Sequence, residues 1–397
     1  PFPEKNVKSE DELMGLFLEQ ATNYHPKIGR YNGIYAGYSN KFRLTSSSGG
    51  MATYILSELL EKGIVDHIFE ISESKKEDIH YEYTVCSTQD SIFSASQTKY
   101  FPVTLATVLP EIHKLEGKVA IVGVACFIKS IRLAQHYESS LKEKIPFLVG
   151  IICGGVKSRF FAEYLASRIG VNADNIKKPQ FRIKELSSTA GDYSFGCIDK
   201  SDEVKKEIKM RIVGDMWGTG MFKAHACDFC DDVTTELADI SLGDAWLSPF
   251  KQDGRGTNII ITRSIIAEQI IQEGVQEKNI HIEKLPLDRL IASQQGSFNH
   301  RHDGLSVRLK FQKLKRRTVP PKRFGNIKVT FKFSIVQLLR MTTRQRSLAL
   351  WRKFPDAVSF DTKMKKYLRL LSVATRIYHN RRSRKIKAFK NGTANDK

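Results

Sequence analysis

The chain has 397 residues, 41% hydrophobic and 27% charged, enough to bury a substantial core organised as two or three units. No run of eighteen apolar residues occurs, since the longest candidate, Ile145 to Val156, contains Pro146 and three glycines, and this excludes an apolar membrane-spanning helix. The net charge of +20 is concentrated at one end: residues 301–397 hold 28 Lys and Arg against 4 Asp and Glu, leaving the first 300 slightly acidic.

The chain begins at Pro1 rather than Met, and PFPEKNVKSEDEL has no apolar signal core, as expected of a processed or truncated piece of something longer. Leu13, Phe17 and Ala21 stand at helical spacing and predict a short amphipathic lead-in within residues 1–30. Gly33–Tyr38 reads as a strand. After it, Ser46-Ser47-Ser48-Gly49-Gly50 opens a helix over Met51–Lys62, ended by Gly63. Hydroxyls and glycines before a helix are either an ordinary Ser N-cap or an anion-binding turn, because free N–H groups and the helix dipole both favour negative charge there. Strands are expected over Val65–Ile71 and Ile79–Cys86, then a helix near Val103–Leu115. Lys118–Val124 and Phe147–Ile152 are apolar runs of strand length. They lead into helices over Ile128–His136 and Arg159–Arg168. The predicted fold is α/β, with a mixed, mostly parallel sheet and flanking helices, followed by a basic, mainly helical region over 301–397.

Six cysteines without the dense even spacing of a disulfide scaffold indicate a reducing cytoplasm. Cys86 and Cys197 fall inside strand-like stretches and read as structural. Cys126 and Cys153 fall where strands stop, and ligands gather at the carboxyl ends of parallel strands. Cys227 and Cys230 form a Cys-x-x-Cys pair ahead of the apolar run Ile240–Leu242 and its Gly243-Asp244 turn. The pair alone fits a redox dithiol, free thiols or half of a metal site. If the sheet brings all four cysteines together, their thiolates suit zinc or a [4Fe–4S] cluster.

These segments, taken in order, resemble the β subunits of coenzyme F420-reducing hydrogenases and dehydrogenases, a family whose members include iron–sulfur flavoproteins. The similar segments are Ser46-Ser47-Ser48-Gly49-Gly50, Lys99-Tyr100, Val124-Ala125-Cys126, Ile152-Cys153-Gly154-Gly155 and Cys227-x-x-Cys230 with Ala238 to Trp246, over roughly Gly33 to Gly274. Ala125 stands where the family usually has Pro. No cysteine precedes Cys86, as if a ferredoxin-like segment were cut away. The resemblance implies a flavin and iron–sulfur domain over residues 31–300, with a [4Fe–4S] cluster on Cys126, Cys153, Cys227 and Cys230. It also implies FAD near Ser46, Ser47, Ser48, Gly49, Gly50, Lys99, Tyr100 and Gly123.

The function expected on this basis is an oxidoreductase coupling hydride transfer at FAD to single-electron transfer through the cluster, with ferredoxin, a deazaflavin or a nicotinamide as redox partner. No residue stands out as catalytic. The alternative is a binding or scaffold protein with a zinc or vestigial four-cysteine site, attached through its basic tail to an anionic partner. In that tail Leu370, Leu371, Ala374, Ile377 and Tyr378 keep helical spacing ahead of Arg381, Arg382, Arg384, Lys385 and Lys387. An acidic protein or an anionic membrane surface suits it better than nucleic acid, for which no recognised motif is present. The expected location is the cytoplasm, including the inner membrane surface.

Overall fold

The structure, a computed structural model, describes residues 7–76 and 79–392, the last twelve of them as helical backbone only. The basic run Arg381 to Lys387 therefore has no described side chains, and residues 1–6 of the lead-in and 393–397 of the tail lie outside the described residues. In chain order the strands are β1 (Asn23–His25), β2 (Gly29–Tyr31), β3 (Gly33–Ser39), β4 (His67–Glu73), β5 (Tyr81–Cys86), β6 (Val119–Val124), β7 (Phe147–Ile151), β8 (Ile176–Lys184), β9 (Tyr193–Asp199), β10 (Lys205–Lys209), β11 (Ile240–Asp244), β12 (Asn258–Thr262) and β13 (Ile280–Lys284).

Eight of these strands form one sheet in the order β13-β3-β12-β11-β7-β6-β4-β5. Its middle is parallel, β4 with β6, β6 with β7 and β7 with β11. The flanking pairings, β11 with β12, β12 with β3, β3 with β13 and β4 with β5, are antiparallel. The sheet is thus mixed, with its parallel strands gathered at the centre. The central strands are continuous apolar runs because helices cover both faces. Ala120 and Val122 of β6 pack with the helices Met51–Glu61 and Ile265–Gln276, while Val119 and Ile121 face the helix Ala125–Tyr137. Gly150 of β7 permits the tightest approach: a Cβ there would lie 2.6 Å from Thr235 Cγ2. At such a spacing a side chain would displace the segment that follows the Cys-x-x-Cys pair.

A smaller antiparallel sheet, β10-β9-β8, stands over the carboxyl ends of the central strands, joined to the main sheet through Arg182 and Asp244, which are hydrogen-bonded. Its core of Phe181, Phe195 and Phe161 also receives Trp351 and Phe360 from the C-terminal helices Phe331–Lys353 and Ala357–Gly392. The expected helical C-terminal region is present, and its packing crosses the compositional break at residue 301. Trp351 Nε1 donates to Glu163 Oε2 at 2.8 Å, Phe222 N donates to Ser347 Oγ at 2.9 Å, and Arg168 pairs with Asp361 at 2.8 Å. Among the described residues no helix is long and apolar enough to cross a membrane.

Local differences from the sequence reading have physical causes. The helix near Val103–Leu115 is only Val108–Ile112, and an additional helix, Gln89–Ala95, precedes it, started by a Thr88–Ser91 capping box. The helix Met51–Glu61 has no Ser N-cap. Gly50 holds that position in the left-handed region, φ 79°, with no side-chain cap bond, and its missing Cβ leaves room for the Phe42 carbonyl.

Candidate functional site

Four central strands run in the same direction, so their carboxyl ends open on one edge, and there the structure holds a cavity of about 820 Å³. Glu70 and Ile71 of β4, Val122 to Val124 of β6, Ile151 of β7 and Leu242 to Asp244 of β11 all line it. That size lies within the roughly 300–1,000 Å³ of small-molecule and cofactor sites.

One part of the wall is the Ser-Gly turn. Ser46, Ser47, Ser48 and Gly50 line the cavity, whereas Gly49 sits behind them, where a Cβ would come within 2.7 Å of Asn258 Oδ1 and 2.8 Å of Gly37 O. Ser47 Oγ accepts from Thr98 N at 2.9 Å, which fixes the turn against the segment bearing Lys99 and Tyr100. Lys184 Nζ, reaching over from β8, donates to Ser48 O and Arg255 O at 2.6 Å each. Asn258 donates to Gly243 O at 3.0 Å and accepts from Met51 N at 3.1 Å, so one side chain joins strand β11 to the start of the helix. Lys99 and Tyr100 also line the cavity, as does Gly123. The Lys99 ammonium is directed back to the carbonyls of Ala95 and Ser96, and Tyr100 meets Trp217 edge-on at 4.8 Å.

The thiols form the adjoining part. Cys126 lies in the first turn of the helix Ala125–Tyr137, directly after β6, and Cys153 follows β7. Cys227 belongs to a single 3-10 turn, His225–Phe229, that ends at Cys230. Gly155 N donates to Cys153 Sγ and Val156 N to Cys227 Sγ, both at 3.3 Å, while Arg301 Nη1 donates to Cys230 Sγ at 3.1 Å. Burial pushes the Cys230 thiol up to about 11 against the opposing pull of Arg301. Burial, then the charges of Cys230, Cys153 and Cys227, push Cys126 up to about 12, although one side of the residue is open to solvent. The four thiols therefore share one neighbourhood. Among the described residues no group of three or more His, Cys, Asp or Glu side chains is already drawn in to metal-binding distance. Cys86 and Cys197 are buried in strands, away from this group, as their sequence contexts suggest.

Cys153, Gly154, Gly155 and Val156 line the cavity and also bear the N–H groups that meet the Cys153 and Cys227 sulfurs. The two parts are thus continuous through one four-residue segment. Several site residues carry no local sequence signal. Arg182 pairs with Asp244, Lys223 Nζ with Asp228 Oδ1 at 2.8 Å, and Arg344 Nε with Asp228 Oδ2 at 2.7 Å. Arg182 with Asp244 and Arg344 with Asp228 are brought together only by the tertiary fold, whereas Lys223 and Asp228 are five residues apart in one loop.

Comparison with known proteins gives this arrangement a family. Two profiles of the coenzyme F420 hydrogenase/dehydrogenase beta subunits match the chain, the amino-terminal one over residues 34–110 and the carboxyl-terminal one over residues 116–287, together more than half of it. The chain belongs to the family of coenzyme F420 hydrogenase/dehydrogenase beta subunits. It is 25% identical over 257 residues to the coenzyme F420 hydrogenase subunit beta of Methanothermobacter thermautotrophicus, covering 63% of this chain and 83% of that protein. It is also 24% identical over 198 residues to the F420-dependent formate dehydrogenase 1 subunit beta of Methanococcus maripaludis, covering 49% of this chain and 47% of that protein. A chain of the F420-reducing [NiFe] hydrogenase complex from Methanosarcina barkeri shares the fold, with a TM-score of 0.57 and 20% identity over 76% of this chain and 99% of that one. Membership in this family agrees with the sequence resemblance and supports a redox role. The matched segments hold the Ser-Gly turn and all four clustered cysteines, and end before Arg301, Arg340 and Arg344.

Proposed function

We propose that this chain is an iron–sulfur flavoprotein oxidoreductase, with FAD in the strand-edge cavity and a [4Fe–4S] cluster on Cys126, Cys153, Cys227 and Cys230. The observation that carries the reading is the continuity of cavity and thiols through Cys153 to Val156, which would put two redox groups side by side. The donor set fits a thiolate-bound cluster: two backbone N–H groups and one guanidinium already point at sulfur, the pattern that stabilises negative charge on cluster ligands. The cavity fits a dinucleotide in size, and its Ser-Gly turn leads into a helix start that its own N-cap, Gly50, leaves without a side-chain cap, Met51 N being taken by Asn258.

When bound, a flavin exchanges hydrides for single electrons and a cluster passes electrons one at a time. The chain's own contribution is placement. Asn258 and Lys184 hold the Ser-Gly turn in position, the small sheet and Trp217 cover the cavity, and Arg301 supplies positive charge to the thiol group. The redox partners in this reading are a deazaflavin or nicotinamide for the hydride and a ferredoxin for single electrons. The relatives named for coenzyme F420 favour the deazaflavin.

Anaerobically purified protein tests the reading by absorbance, flavin extraction and metal analysis. One FAD, with about four irons and four sulfides per chain, is expected. Stoichiometric zinc, or iron fully retained in Cys227→Ser plus Cys230→Ser, would contradict it.

A further inference from the structure

The cavity wall is unbalanced in charge. It holds eight Lys or Arg side chains (Lys99, Lys157, Arg182, Arg211, Lys223, Arg301, Arg340 and Arg344) against four carboxylates, those of Glu70, Asp215, Asp228 and Asp244. Asp244 is taken by Arg182, and Asp228 is shared between Lys223 and Arg344. Lys157 is held by the carbonyls of Met216 and Met221 at 2.6 and 2.7 Å and lies over the Trp217 ring, and burial holds its pKa well below the usual lysine value, so it adds little fixed charge. A cluster on the four thiols would draw on Arg301, which already touches Cys230. Glu70 faces Lys99, and Asp215 is the nearest opposing charge to Arg340, which with Met341 and Arg344 lines the cavity from one face of the helix Phe331–Lys353. Arg344 is 3% exposed and spends its Nε on Asp228, while its Nη2 is buried without a partner. Arg340 Nε is likewise buried and unpartnered. Those two atoms are buried against protein, but both side chains line the cavity, and a guanidinium fork matches the oxygens of phosphate or carboxylate.

We propose that Arg340 and Arg344 form the recognition site for a phosphate or carboxylate group on the small molecule that exchanges a hydride in this cavity. The inference rests on the oxidoreductase reading for the word hydride, and on the wall chemistry alone for the anion. The site is supplied by a helix that lies beyond residue 287, where the family match ends. The Ser-Gly turn and the arginine face would then divide the work, the first holding the phosphates of the flavin and the second those of its partner.

The probe is inorganic pyrophosphate, titrated by calorimetry at low salt into the full chain, both flavin-loaded and flavin-free, with flavin and iron content measured on each preparation. The flavin-loaded parent should bind one pyrophosphate. Arg340→Gln, which breaks no ion pair, should weaken that binding at least tenfold while keeping its flavin and iron. Arg344→Lys, which keeps charge beside Asp228 but loses the planar fork of nitrogens, should weaken it as well. Failure of the parent to bind, or undiminished binding in both variants, overturns the proposal. So does binding confined to flavin-free protein and displaced by FAD, because the anion would then be the cofactor's own. A parent that binds pyrophosphate yet takes up no flavin retains the anion site and contradicts the oxidoreductase reading instead.

Discussion

Arg301 Nη1 lies 3.1 Å from Cys230 Sγ and also donates to Asp232 O, tying the first residue of the basic region to the Cys-x-x-Cys pair 71 positions earlier. The guanidinium is buried, so its removal leaves a thiol and a carbonyl without their charged donor. Arg301→Gln should destabilise the protein by about 2–3 kcal/mol, the range for a hydrogen bond from a charged group, as read by urea denaturation. With an iron–sulfur cluster in place, the same change should make its reduction potential more negative, because a nearby positive charge and an N–H···S bond both favour the reduced form. An unchanged or higher potential in an optical redox titration would show that Arg301 serves packing alone.

The Ser-Gly turn can be tested by separating helix stability from ligand affinity. Gly49→Val is a poor probe: its side chain would collide with the Gly37 carbonyl and with Asn258, so it should cost about 1–3 kcal/mol whatever binds nearby. Ser46→Asp is cleaner. Ser46 Oγ lies 3.4 Å from Thr53 Oγ1 in the first helical turn, where a carboxylate suits the helix dipole. Stability should hold while FAD affinity falls at least tenfold through repulsion of its phosphates. Equal FAD affinity in parent and variant, measured by fluorescence titration, would move the phosphates away from this turn.

Glu70 gives the protein a pH dependence. Burial pushes its carboxyl up to about 7 against the pull of the Lys99 ammonium, and its Oε2 has no partner. The residue retains partial exposure through the cavity, which softens the effect. A carboxyl whose folded value is raised binds more protons folded than unfolded, so its contribution is full below pH about 4.5 and is lost as pH rises to about 7. Glu70→Gln should flatten that decline and make the variant the more stable form above pH 7, in denaturation series run at each pH. Parallel curves for parent and variant would mean that Glu70 ionises without penalty.

Much of the site was legible because its signals are local. Strand-end cysteines, a Cys-x-x-Cys turn and a Ser-Gly turn before a helix depend on the chain's neighbours in sequence, and the structure places each of them at one sheet edge. What was not legible depends on distant pairing. Asn258 reaches Met51 across 207 positions, and Arg344 reaches Asp228 across 116. Nor does Lys184 announce in its own strand that it will clasp the Ser48 carbonyl. The Thr88 helix was locally encoded by its capping box, yet its seven residues carry too short an apolar pattern to show periodicity.

The basic region reads in sequence as a separable tail, and its folded contacts imply two parts with different behaviour. Residues 301–364 belong to the body: Arg301 meets Cys230, Arg308 Nε donates to Asp228 O at 2.7 Å, and Trp351, Phe360 and Met364 are buried in the core of the small sheet. Arg323 adds a two-pronged pair with Glu236 at 2.9 and 3.0 Å. A chain ending at His300 should therefore fail to fold or lose its cofactors, since it exposes that core and strips Asp228 of Arg344. Beyond Leu371 the helix turns Val373 and Ile377 outward, and seven basic residues follow position 380. A chain ending at residue 380 should keep its fold and cofactor content. It should bind anionic vesicles more weakly than the parent, and the difference should vanish as salt shortens the Debye length below about 8 Å. Vesicle sedimentation over a salt series decides this. Equal binding by both chains would assign the attraction to the folded body, and loss of cofactor from the 380 form would extend the body to the end of the helix.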